Sequence, residues 1–191
     1  MPLAVIIATL FISIGAVDLA TGGSSIPSTS VQTESRTVVG EILPSQIRIP
    51  ALGIITQVEH VGVTEQGRMQ ASKRFENVAW YALGSRPGSS GSAVFAGHLD
   101  NGLGMPGVFA HLGKATEGDR IYVRDIHGLE KVYEVVRTAS YGLYDAPSED
   151  IFRTSGEEVL VLITCDGKWV ASDKTYDRRL VVFAKPLNLI P

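Results

Sequence analysis

From Ile42 onward, apolar and polar residues alternate in short runs separated by turn formers. "QIRIP" (Gln46–Pro50) alternates, and Ile54–Val61 is β-branched and half polar. "SAVFAGH" (Ser92–His98) is an apolar run that stops at Gly-His. "DRIYVRD" (Asp119–Asp125) and "EKVYEVVRT" (Glu130–Thr138) alternate again, with His127-Gly128 as the turn between them. Val159–Thr164 and "RLVVFAK" (Arg179–Lys185) complete the series. A period of two places one side of each run in a core and the other toward water, which is the signature of a strand. Seven such runs at this spacing, with few helical periods, predict a mostly antiparallel barrel or sandwich. Helical signals are brief. Pro147-Ser148-Glu149-Asp150 offers a cap and an acidic first turn before Ile151-Phe152, and a further turn of helix is expected around Val108–Leu112.

The pattern upstream is different. "LAVIIATLFISIGAV" (Leu3–Val17) is uncharged and almost wholly apolar. It falls short of the roughly 20 residues that cross a bilayer, so residues 1–20 read as an export segment or short membrane anchor. Residues 21–41 include "TGGSSIPSTSVQTESRT", which is rich in Gly, Ser and Thr without apolar period and reads as a flexible linker. An apolar start, a polar stalk and a domain at 42–191 together suit a protein held outside a membrane.

Composition narrows the function classes. The 191 residues are 45% hydrophobic and 19% charged, as in a folded protein, and a net charge of −3 offers no basic field to nucleic acid. The single cysteine, Cys165, excludes an intramolecular disulfide. It stands where the Val159–Thr164 run ends, before Asp166-Gly167, a turn signal. A thiol there is either a small buried hydrophobe or a nucleophile held by the sheet and open to a cleft. A nucleophile needs a proton partner. Of four histidines, His98 alone ends an apolar strand, beside Gly97, which permits close approach. His60, His111 and His127 sit in ordinary edge, helix and turn settings. Arg179 opens the last run and is placed to hold a developing oxyanion, and alternation lets only one of Arg178 and Arg179 face Cys165. No second clustered His or Cys completes a metal site, and no cofactor is implied. "GLGMPG" (Gly102–Gly107) fits a dinucleotide fingerprint only formally, because Pro106 interrupts it and no βαβ unit surrounds it. It reads as a glycine-rich surface loop.

"AVFAGHLD", "VLITC" and "RRLVVFA" together resemble the signature strands of the sortases, with "IRIPALGI" and "VAWYALGSRPGSSGSAVFAGH" fitting earlier parts of that pattern. The resemblance runs from about Pro44 to Pro186 and, through "PGSSGSAVFAGHLD" and "TCDGKW", is nearest to the class E and F types. It implies a single closed eight-stranded β-barrel with one or two short helices. It also implies a cysteine transpeptidase with Cys165 as nucleophile, His98 as acid and base, and Arg179 at the oxyanion. Thr164, Gly97 and Asp166 would line the substrate and oxyanion pocket. The implied substrates are bacterial surface proteins bearing L-P-x-T-G-like sorting signals. The implied acceptors are the amine of a peptidoglycan precursor or a pilin lysine, and the expected place is the bacterial membrane with the domain outside it. A thiol peptide hydrolase on the same site, or a non-catalytic peptide-binding barrel, are the rival expectations.

Overall fold

The computed structural model describes residues 36–37, 40–101 and 103–187. The apolar segment 1–20 lies outside the described residues, as does the linker 21–41 apart from Arg36–Thr37 and its last two positions. No helix among the described residues is long and apolar enough to cross a membrane.

Nine strands carry the fold: β1 (Arg36–Thr37), β2 (Gln46–Ile49), β3 (Ile54–Val61), β4 (Val78–Tyr81), β5 (Ser92–Gly97), β6 (Arg120–Arg124), β7 (Leu129–Gly142), β8 (Val159–Val170) and β9 (Thr175–Pro186). Eight of them run β7-β6-β2-β3-β4-β5-β8-β9, and pairing of β9 back onto β7 closes the ring into a barrel, with β1 appended to β7. The joints are antiparallel except β3–β4 and β5–β8 within the ring and β1–β7 outside it. A parallel joint cannot be made by a hairpin. The chain between β3 and β4 therefore has to arch across the barrel, and that arch becomes one wall of the site.

Alternation along the strands sorts the side chains into two cores. Phe95 on β5, Leu160 and Leu162 on β8, and Val182 and Ala184 on β9 point into the barrel with Trp80, Tyr133 and Ile47. The alternate residues Val94, Val159, Val161, Val181 and Phe183 point outward, where Ile151 and Phe152 cover them. That outer cover explains why β8 reads as an unbroken apolar run: it is buried on both faces. Burying each such side chain is worth roughly 1.5–3 kcal/mol.

Several local expectations are corrected. The turn expected at Asp166-Gly167 is a bulge inside β8, where the register with β9 shifts between Asp166 and Trp169 and Gly167 takes φ +83°. The chain reverses instead at residues 171–174, so β9 begins at Thr175 and Arg179 lies within it rather than opening it. The two aligned hairpin arms make enough ladder contacts to carry the strands past the local turn signal. The turn of helix expected around Val108–Leu112 is a 3-10 segment displaced to Leu112–Lys114, preceded by turns. "VAWY", all apolar and lacking alternation, is β4. The α-helical turn α1 (Ser148–Ile151) is where the acidic first turn pointed.

Candidate functional site

Register brings the chemistry together. Cys165 on β8 stands directly opposite Arg179 on β9, while Asp166 stands opposite Arg178. On the other side of β8, Ala96 of β5 pairs with Ile163 in a parallel joint. Continuing that register by two residues sets His98 beside Cys165. Because His98, Cys165 and Arg179 all fall on the outward phase of their strands, they meet on one surface. A cavity of about 860 Å³ opens there, lined by all three residues, by Met69–Ser72 of the arch, and by Leu143, Tyr144, Ile151 and Phe152. Arg179 is thus the arginine facing the thiol, and Arg178 is directed away from it.

Each group is held by the local fold. The guanidinium of Arg179 donates from one nitrogen to the carbonyls of Tyr176 (3.0 Å) and Arg178 (2.8 Å), and from another to Thr175 Oγ1 (2.9 Å). A guanidinium has further N–H donors, so these bonds fix its plane and leave capacity for a ligand. His98 Nε2 lies 3.1 Å from the Ser72 carbonyl, and its ring meets the Phe75 ring at 4.5 Å with a 48° tilt. A carbonyl only accepts, so this contact favours the tautomer with its proton on Nε2 and leaves Nδ1 as the unprotonated nitrogen. The His98 backbone is pinned as well, since Phe109 N donates to its carbonyl at 3.0 Å.

The thiol itself is half buried. Burial pushes Cys165 above the ordinary thiol value, the Arg179 guanidinium pulls it back, and the Asp100 carboxylate pushes it further up. At neutral pH the resting group is therefore mainly the thiol, and Arg179 is the partner that favours the thiolate.

The remaining expected residues divide. Gly97 and Thr164 line the cavity. The Thr164 hydroxyl is already donated to the Gly97 carbonyl at 2.9 Å, so it ties β8 to β5. A Cβ on Gly97 would come within 2.5 Å of the Phe109 ring, so the close approach expected of this glycine is to the core. Asp166 does not line the cavity. Its carboxylate accepts from Ser140 Oγ, on the opposite phase of β8 from Cys165. It belongs with Arg178, whose guanidinium donates to Ser140 Oγ (2.8 Å) and to the Ser140 carbonyl (2.7 Å).

Sequence reasoning missed several contributors. Gly107, read as part of a surface loop, packs on the backbone of His98, where a Cβ would fall 2.4 Å from its carbonyl oxygen. The only signal was a glycine in a loop that returns toward an apolar strand. Asp100 accepts a hydrogen bond from Tyr176, whose ring meets Trp169 edge-on at 5.4 Å, so the β8–β9 hairpin is latched to the segment after His98. Ser72 and Phe75 carried no signal, because only the arch brings them to the histidine.

Comparison with known proteins bears on the family and the fold. A family model described as the sortase domain matches residues 47–187. Among solved structures, sortase C-1 from Actinomyces oris is similar at 24% identity and a TM-score of 0.59, over 78% of this chain and 77% of that one. Sortase A from Corynebacterium diphtheriae is similar at 21% identity and a TM-score of 0.58, over 79% of this chain and 63% of that one. Sortase C1 from Streptococcus agalactiae is similar at 22% identity and a TM-score of 0.57, over 76% and 68%. At these identities the structural likeness establishes the fold. No curated protein matches.

Proposed function

This chain belongs to the sortase family, and from that premise we propose that it is a cysteine transpeptidase working through Cys165, His98 and Arg179. The observation that carries the reading is the pairing of Arg179 directly across from Cys165, together with the cavity that both share with His98. The proposed substrate is an extended sorting signal of the L-P-x-T-G kind, laid in the cavity between the arch and the Leu143–Phe152 segment.

Cys165 gives its thiol proton to His98, and the resulting thiolate attacks the carbonyl carbon of the Thr residue, forming the C–S bond while the carbonyl electrons move to oxygen. Arg179 donates to that oxyanion, the kind of preorganised contact that is worth about 100- to 1,000-fold in rate. Collapse breaks the Thr–Gly bond, and His98 delivers the proton that lets the glycine amine leave. A second amine then gives a proton to His98, attacks the thioester and releases Cys165. The donor of that amine is a peptidoglycan precursor or a pilin lysine, and the substrates are surface proteins bearing the signal. The apolar segment at 3–17 serves as the membrane tether for a domain outside the cell. Within the family, "PGSSGSAVFAGHLD" and "TCDGKW" support a class E or F type, whereas the similar solved structures named above are of types C and A.

The test is cleavage of a quenched fluorescent L-P-x-T-G-type peptide set, with and without oligoglycine, by the wild type and by Cys165→Ala and Arg179→Ala. The reading requires cleavage that both substitutions abolish or cripple, and an oligoglycine adduct by mass spectrometry. Cleavage without any adduct would instead favour a thiol hydrolase. No cleavage by a folded wild type would favour a peptide-binding barrel.

A further inference from the structure

We propose that Glu59 is a positioning residue for His98, acting through the 72–77 segment of the arch that its carboxylate gathers and holds. The inference rests on the reading of His98 as the proton carrier.

The segment from Ser72 to Asn77 has no ladder partner of its own and consists of bends and turns. It nevertheless supplies both contacts that orient the imidazole, the Ser72 carbonyl on Nε2 and the Phe75 ring against its face. Something outside the segment must fix it, because an unsupported loop would let both contacts drift. Thr56 on β3 donates its hydroxyl to the Glu76 carbonyl, and Glu59 is the fixture nearest Ser72. It lies on β3, and one carboxylate oxygen accepts from Lys73 N at 2.8 Å, while the other accepts from Arg74 N at 3.3 Å and Asn77 Nδ2 at 2.9 Å. Two consecutive backbone amides and a side-chain amide thus converge on one anion, and bonds to a charged acceptor are the stronger kind. The Lys73 amide is the chief reason that the Glu59 carboxyl is held below the usual carboxylate range.

The rest of the loop is tied in a way that transmits this hold to the histidine. Ser72 Oγ donates to the Asn77 carbonyl at 3.0 Å, closing the segment on itself, and Ser72 is buried. Val108 N donates to the Phe75 carbonyl at 3.0 Å, and the next residue, Phe109, donates to the His98 carbonyl. The imidazole is therefore clamped between a loop anchored by Glu59 and a loop anchored to that same segment. Freeing Glu59 releases the Ser72 carbonyl, and with it the preference for the tautomer that leaves Nδ1 available. Glu59 does not line the cavity, and of the segment it holds only Ser72 does, so its effect belongs chiefly on turnover.

The experiment uses the full chain with isotopically labelled histidine, as wild type, Glu59→Ala and Glu59→Gln. The His98 ring nitrogen resonances, assigned by their loss in His98→Ala, report the tautomer without any need for activity. Glu59→Ala is expected to move those resonances away from the Nε2–H pattern and to lower kcat for peptide cleavage by about 10- to 100-fold with KM little changed, as for a misplaced catalytic group. Glu59→Gln keeps one acceptor oxygen but turns an NH2 donor toward the remaining N–H partner, and is expected to restore only part of both. Should Glu59→Ala fail to fold, Asn77→Ala removes one donor, and a smaller displacement of the same resonances is expected. A folded Glu59→Ala that melts earlier yet keeps wild-type resonances and kcat would overturn the proposal, as would an unmoved spectrum in Asn77→Ala. If the wild type cleaves no peptide, the transpeptidase reading fails, while the resonances still decide whether Glu59 sets the histidine.

Discussion

Cys165 rests in an environment that favours the neutral thiol, and the balance is set by burial against one arginine. The sign of the pH dependence follows. The thiolate fraction grows as pH rises, with a midpoint above that of an ordinary thiol, so alkylation by iodoacetamide should accelerate through the alkaline range. Arg179→Ala removes the positive charge that pulls the thiol down, so its alkylation midpoint should lie higher still, and an unchanged or lower midpoint would contradict the assignment. Asp100→Asn should move the midpoint the other way. On turnover, Arg179→Ala is expected to cost about 100- to 1,000-fold in kcat. Cys165, His98 and Arg179 stood out by residue type, because a thiol, an imidazole and a cation are rare side chains in apolar runs. The strand-end positions expected of Cys165 and Arg179 were not found, since both lie inside their strands. The thiol's titration was not legible, because it depends on burial and on Asp100, and neither is encoded next to Cys165.

The strands that carry these groups owe their precision to small contacts. Gly97→Ala would drive a methyl group into the Phe109 ring. Overpacking of that kind costs about 1–3 kcal/mol, and the displacement falls on the residue before His98, so the expected result is an earlier melt together with reduced cleavage. The arch has its own acid sensitivity. The folded Glu59 carboxyl is held below its ordinary value, so its contribution is present above the ordinary glutamate range and is lost as pH falls through the folded value. Amide hydrogen exchange at Lys73 and Arg74 should therefore rise in acid, after correction for the intrinsic rate, before exchange in β8 changes. Alternation located most strands, yet it failed at "VAWY" and beyond Thr164. β4 is covered on both sides, and the bulge at Gly167 lets β8 continue through an Asp-Gly pair that in isolation would turn. Cross-strand pairing with β9 decides that outcome, and pairing is a property of two segments at once.

Closure of the barrel follows from β7 and β9, two long strands whose pairing joins the ends of an otherwise open sheet. The run of short alternating strands foretold a β-barrel or sandwich, and only the resemblance fixed the closed form and the strand number. The parallel joints were hidden, because nothing local distinguishes a parallel neighbour from an antiparallel one. Those joints shape the cavity: β3–β4 requires the arch whose Ser72 and Phe75 meet His98, and β5–β8, paired as far as Ala96 and Ile163, carries the chain toward His98 and Cys165. With one barrel core shared by all eight ring strands, thermal unfolding of the Thr33–Pro191 unit should be a single transition with matching calorimetric and van't Hoff enthalpies. Two resolved transitions would show that the outer cover melts apart from the barrel. The central claim is that Cys165 carries the acyl group, and intact-protein mass spectrometry after brief exposure to an L-P-x-T-G-type peptide tests it most directly. The account predicts a mass increase equal to the peptide acyl portion ending at Thr, mapped to Cys165, absent in Cys165→Ala and discharged by oligoglycine. A peptide cleaved by wild type and Cys165→Ala alike would contradict it.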